Sequence, residues 1–149
     1  MTHQEILRLL PYEKPFLFVD DLLEVTKDSS KGTFTFDRNL DFYRGHFKEN
    51  PVTPGVILTE CCAQIGLVCL GIYLMRKEEL EKSNILIGMS SSEMEFLKPV
   101  FPGERVTVVS KKIYFRFQKL KCEVQMYNAK KELVCKGTVS GMLKIEVDG

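Results

Sequence analysis

The feature that most constrains the fold is one long apolar stretch. From Val56 to Met75 only Thr59, Glu60, Gln64 and Tyr73 interrupt it with polar groups. Pro54-Gly55 precedes it, and proline suits a first helical turn. The charged residues Arg76 to Lys82 end it. A helix drawn through the stretch has apolar positions on nearly every face, so it is expected to be buried all round. About 20 apolar residues would also span a bilayer. Glu60 opposes that, since a charge near a helix centre costs roughly 2–3 kcal/mol in lipid, and Gln64 adds to the cost. No membrane insertion is expected, and sheet from the rest of the chain is the alternative cover.

The remaining segments read mostly as strands. Phe16 to Val25 follows Pro15 and is rich in Phe, Leu and Val; Gly32 to Phe36 alternates Thr and Phe. After the helix, Asn84 to Met89 is apolar, Glu93 to Leu97 alternates, and Pro99 to Gly103 is a turn. Arg105 to Phe117 and Lys121 to Tyr127 alternate as long strands. Asn128 to Lys131 turns the chain, and Leu133 to Val147 closes it as one strand or a pair. The short gaps between the late strands favour antiparallel hairpins. Leu40 to Thr53 has little periodicity and reads as a loop dense in reactive groups. Met1 to Leu10 suits a turn or two of amphipathic helix rather than a signal peptide. Neither end carries a lipidation motif, so a cytoplasmic location is expected. One long helix among antiparallel strands predicts an α+β fold in a single domain, residues 1–149.

Charge and cysteine usage narrow the function. The chain has 21 basic and 20 acidic residues and a net charge of +1, which gives no general attraction to nucleic acid or to anionic membranes. Lys111, Lys112, Arg116, Lys119 and Lys121 form a local basic stretch. The five cysteines (Cys61, Cys62, Cys69, Cys122 and Cys135) are odd in number and lack CxxC spacing. They read as small buried hydrophobes, not as a disulfide framework or a zinc site.

The chemistry concentrates between Gly45 and Gln64. A loop histidine, His46, precedes a turn stiffened by Pro51 and Pro54. Glu60 then lies one turn inside an otherwise apolar helix, with Gln64 four residues on along the same face. An imidazole can accept a proton at neutral pH. A carboxyl in an apolar setting holds its proton more tightly, because burial disfavours the charge. A helix N-terminus offers unpaired N–H groups, and Gly55 there has no side chain to block a carbonyl. Base, acid and oxyanion donor are thus present. Plainer readings of the same residues remain open. His46 can satisfy loop backbone groups, Glu60 can pair with a base, Gln64 can be a satisfied buried amide, and the prolines can be turn chemistry only.

These residues also resemble a known family. The run Gly45-His46-Phe47, Pro51, Pro54-Gly55, Glu60 and Gln64 is similar to the signature of the 3-hydroxyacyl-[acyl-carrier-protein] dehydratases of the FabZ type. So are Leu9-Leu10-Pro11, Pro15-Phe16-Leu17 with Val19-Asp20, and Lys98-Pro99-Val100-Phe101-Pro102-Gly103-Glu104. The resemblance implies a hot-dog fold, a curved antiparallel sheet wrapped around the long helix. It implies a hydro-lyase that removes water from a (3R)-hydroxyacyl thioester on acyl carrier protein, with His46 and Glu60 as the acid–base pair and the Gly55 N–H on the thioester carbonyl. It implies a homodimer with sites shared between chains, sometimes grouped as a trimer of dimers, and no metal or redox cofactor. Gln64 is expected to support the substrate site, and the basic stretch is a candidate surface for the carrier. The chain departs from the family at Tyr12, often histidine there, at Lys48, usually proline, and at Thr53, usually apolar. A dehydratase of a specialised polyketide or aryl polyene pathway, a hot-dog thioesterase and a non-catalytic acyl-binding domain remain the alternatives.

Overall fold

The computed structural model describes residues 1–75 and 83–147. The charged run at the end of the apolar stretch, Arg76 to Lys82, lies outside them. Helix α1 (His3–Leu9) opens on a capping box: the Thr2 hydroxyl accepts the Glu5 N–H, and the Glu5 side chain reaches back to the Thr2 N–H. Ile6 turns inward and is fully buried.

The strand expected over Phe16 to Val25 forms only at its end, as β1 (Asp21–Val25). Phe16 and Phe18 are claimed by the central helix instead. The Gln64 side chain accepts the Phe18 N–H at 2.8 Å and donates to the Phe16 carbonyl at 3.0 Å. The Cys61 thiol donates to the Phe18 carbonyl at 3.4 Å. Buried backbone groups need partners, and here helix side chains supply them in place of a neighbouring strand.

β2 (Ser29–Thr35) begins earlier than the Thr/Phe alternation suggested. The two segments read at Asn84–Met89 and Glu93–Leu97 form one strand, β3 (Ser83–Phe96), with its register shifted between Met89 and Ser91. β4 (Arg105–Arg116), β5 (Lys119–Tyr127) and β6 (Leu133–Val147) complete the set, and Leu133 to Val147 is one strand, not two. Among the described residues the strands make a six-stranded sheet in the order β1-β2-β4-β5-β6-β3, with every pair antiparallel. Phe117 and Gln118, both at positive φ (51° and 62°), turn β4 into β5. A two-residue hairpin loop of this hand follows the twist of the strands.

The central helix, α2 (Gly55–Leu74), lies against one face of this sheet. Its middle is a π-helical turn, Gln64–Val68. The wider turn breaks the regular carbonyl ladder, and two sheet serines meet it. Ser30 donates to the Ile65 carbonyl at 3.0 Å, and Ser110 donates to the Gly66 carbonyl at 2.8 Å. Gly66 allows that approach: a Cβ there would lie 2.8 Å from Val124 Cγ1. Ile65, Leu70 and Ile72 of the helix, with Val106, Val108 and Val124 of the sheet, are fully buried. Each such side chain contributes roughly 1.5–3 kcal/mol. The most apolar 18-residue window of the helix is 78% buried within the protein, so its apolar surface is spent on the sheet. This is the α+β hot-dog arrangement. All five cysteines are free and buried in it, as their pattern suggested.

Candidate active site

His46 sits in a loop that folds back on itself. A short 3₁₀ turn, Asp41–Arg44, leads in. The His46 N–H bonds the Phe42 carbonyl at 3.1 Å, Phe47 and Asn50 exchange backbone hydrogen bonds, and the Val52 N–H bonds the His46 carbonyl at 2.9 Å. His46 Nδ1 lies 3.0 Å from the Val52 carbonyl oxygen. A carbonyl only accepts, so Nδ1 carries the proton in this contact, and Nε2 is the basic nitrogen of the neutral ring. The ring stacks on Phe47 with centroids 4.1 Å apart. His46 is half-buried and Phe47 is exposed.

Glu60 is placed differently. The helix carries it into a half-buried position, where burial pushes its pKa above the ordinary carboxyl value. Gln64 Nε2, 3.4 Å from Glu60 Oε1, pulls weakly the other way. Nearby, burial pushes the Tyr12 phenol up to about 12, and the charge of Glu60 adds to the effect. Glu60 is thus tuned by burial and a neutral amide rather than by a basic partner.

Gln64 proves to be the satisfied buried amide of the plainer reading, fully buried and bonded to Phe16, Phe18 and Glu60. It orients Glu60 and ties down the segment before β1.

The helix opens at Gly55, behind Pro54, whose carbonyl takes the N–H groups of Ile57 and Leu58. Pro54 is therefore the cap and Gly55 the first helical residue. Among the described residues no backbone acceptor takes the N–H of Gly55 or of Val56. A cleft of about 270 Å³ adjoins this end, lined by Thr53, Gly55, Leu58, Phe96, Leu97 and Lys98. A Cβ at Gly55 would come within 3.2 Å of the Phe96 ring. Larger clefts lie beside Lys98 and Glu132 and beside Lys14 and Asp20, and His46 and Glu60 line none of the three.

Within the chain no hydrogen bond or ion pair joins His46 to Glu60 among the described residues; each has its own partner, Val52 and Gln64. The sequence pattern did not single out the Val52 carbonyl, because backbone contacts leave no residue signal. It also passed over Tyr43, whose hydroxyl meets that of Thr53 at 2.6 Å. Tyr12 and Thr53 were visible as departures from the family pattern, without a partner to explain them.

On the hot-dog fold the chain thus carries a half-buried carboxyl of raised pKa, a half-buried imidazole and an open helix N-terminus. The chain belongs to the FabA-like family, whose domain matches residues 10–140. Similar proteins include the 3-hydroxyacyl-[acyl-carrier-protein] dehydratase FabZ of Sinorhizobium fredii, 36% identical over 149 residues, covering 97% of this chain and 91% of that protein. The protein of the same description from Rhizobium etli is 34% identical over 143 residues, covering 93% and 86%. Among solved structures, the dehydratase heterocomplex ApeI:P of Xenorhabdus doucetiae shares the fold with a TM-score of 0.76 at 13% identity, over 93% of this chain and 90% of that one. A hypothetical thioesterase of Streptococcus pneumoniae does so with a TM-score of 0.63 at 15% identity, over 86% and 88%.

Proposed function

We propose that this chain is a 3-hydroxyacyl-[acyl-carrier-protein] dehydratase, acting as one domain over residues 1–149. The observation that carries the reading is Glu60, half-buried one turn inside a helix whose N-terminal N–H groups are open, where burial raises its pKa above the ordinary carboxyl value. The thioester carbonyl accepts from the Gly55 N–H, where the helix N-terminus favours developing negative charge. His46 Nε2 takes a proton from C2. The C2 electron pair forms the C2–C3 double bond, the C3–O bond breaks, and Glu60 gives its proton to the departing hydroxyl. Water and a trans-2-enoyl thioester result. His46 ends protonated and Glu60 ionised, and proton exchange with solvent resets both. The chemistry calls on no metal or redox cofactor, and a cytoplasmic setting suits the free buried thiols.

The active unit is a homodimer. β3 is an edge of the sheet, and its Met89 and Phe96 remain 45% and 47% exposed. A long edge strand with exposed apolar residues is a ready template for pairing, and the separate latches on His46 and Glu60 suit a site that one chain does not complete. Trimers of dimers are the larger assembly. The carrier docks on the β4–β5 hairpin. Cross-strand register puts Arg116 beside Lys119 and Tyr114 beside Lys121, and the Arg116 guanidinium lies 4.4 Å over the Tyr114 ring. Of the other two cations of the basic stretch, Lys112 lies 3.4 Å from Asp28, and Lys111 stands opposite Glu123 in the strand register.

Mass detection of water loss from 3-hydroxyacyl-carrier substrates of varied tail tests the reaction and separates fatty-acid synthesis from a specialised pathway. Release of free thiol without water loss would move the reading to a thioesterase. Mixing the inactive variants His46→Ala and Glu60→Gln tests the shared site. Mixed dimers regain a working centre only if histidine and glutamate come from different chains. The carrier surface is checked by salt, since added ions should weaken carrier binding.

A further inference from the structure

The loop that carries His46 is bolted to the start of the central helix by a buried polar pair. Tyr43, on the 3₁₀ turn, is 7% exposed, and Thr53, just before the helix cap, is 4% exposed. Their hydroxyls lie 2.6 Å apart. Thr53 is fixed a second time, by its N–H on the Val100 carbonyl at 2.9 Å. Its neighbour Val52 is the residue that holds His46, accepting from Nδ1 at 3.0 Å and donating its N–H to the His46 carbonyl at 2.9 Å. A contact path of few atoms therefore runs from the Tyr43 hydroxyl through Thr53 and Val52 to the imidazole.

We propose that Tyr43 and Thr53 are a positioning pair for His46, setting the direction of its imidazole by fixing the Val52 carbonyl against the helix start. Neither residue touches the reacting atoms. The catalytic part of this inference rests on the dehydratase reading. Burial gives the pair its effect, because a hydroxyl without water and without a partner forces its surroundings to shift. The phenol pKa of Tyr43 is raised, chiefly by burial, so the bond keeps its proton across the working pH range. A Thr–Tyr bond also has a defined length and direction, which an apolar contact lacks.

The test uses the full chain and two readouts. Thr53→Val keeps the shape and removes the hydroxyl; Thr53→Ser keeps the hydroxyl. Thr53→Val should lower kcat by about ten- to a hundredfold, the scale of a small misplacement of a catalytic group. KM should stay within about twofold, since valine fills the same volume at the cleft wall that Thr53 lines. Thr53→Ser should restore most of kcat. The Nδ1 and ring-proton NMR signals of His46 should move in Thr53→Val and return in Thr53→Ser. His3, the only other histidine, serves as the internal reference. Should Thr53→Val not fold, Tyr43→Phe removes the same bond from the other side and is read the same way. A lowered melting temperature with unmoved kcat and unmoved His46 signals would reduce the pair to a structural role and overturn the proposal. If the wild-type chain released no water from any 3-hydroxyacyl thioester, the dehydratase reading would fail, while the imidazole signals would still decide the positioning claim.

Discussion

The His46 loop and the Glu60 helix hold their ionisable groups by opposite routes. The loop is irregular, and its geometry comes from backbone hydrogen bonds at His46, Phe47, Asn50 and Val52 and from the Tyr43–Thr53 bond. The helix is regular up to its π turn, and its geometry comes from apolar burial along most of its length, with Val56 at its start left exposed. Burial shifts the proton affinity of Glu60 directly. In the loop, hydrogen bonds fix the direction of a ring. A proton donor is made by removing water; a proton acceptor is aimed by giving its other nitrogen a partner.

The comparison is broken most directly at its two ends. His46→Ala and Glu60→Gln should each cut turnover by about 10²–10⁴-fold, the range for a lost general acid or base, with circular dichroism unchanged. Wild-type turnover in either variant would remove that residue from the mechanism.

The helix should respond to crowding where the loop would not. Gly66→Val drives new carbons into Val124 and Ser110 and should cost about 1–3 kcal/mol in urea unfolding. A smaller loss would mean that the π turn relaxes easily.

Gln64→Leu should cost about 1–3 kcal/mol, because it leaves the Phe16 carbonyl and Phe18 N–H without their partner. It should also act on Glu60. The Gln64 bond lowers the Glu60 pKa, so its loss raises that pKa further. In the proposed mechanism Glu60 works protonated, so activity is lost as pH rises through its pKa. The alkaline limb of the kcat profile should therefore move to higher pH. An unmoved limb would place the proton donor elsewhere.

The same shift gives a small stability effect. The folded carboxyl has a raised pKa, so its contribution is fully present below the unfolded value and is lost as pH rises through the folded one. Stability of the wild type should decline across that window, and Glu60→Gln should flatten the decline in thermal melts. The smallest effect is reserved for the periphery. Thr2→Ala removes the α1 cap and should cost about 1 kcal/mol with turnover unchanged.

Much of this was legible in the sequence. The all-round apolar pattern of Val56 to Met75 marked a buried helix, and alternation at Val106, Val108 and Val124 marked the sheet that covers it. Both signals are local, because each side chain's environment repeats with the period of its own element. The limits of that logic show at Phe16 to Asp20. Its composition suits a strand, yet the Phe16 carbonyl and both backbone groups of Phe18 bond to Gln64 and Cys61, residues more than forty positions away. Nor does the local pattern mark the register shift at Met89/Ser91 or the π turn, whose carbonyls at Ile65 and Gly66 are met by Ser30 and Ser110 of the sheet.

Spacing marked His46, Gly55, Glu60 and Gln64 as candidates with plainer readings beside them, and the family resemblance supplied their expected roles. What the sequence determined by itself was therefore the inventory: one buried helix, a set of strands, and the groups able to give, take or stabilise charge. Tertiary structure decided the state of each group. It buried Glu60 enough to raise its pKa, turned His46 Nδ1 onto the Val52 carbonyl, spent Gln64 on the Phe16–Phe18 segment and matched Thr53 with Tyr43. These are properties of distance and solvent exclusion between residues far apart in the chain, and no local period encodes them.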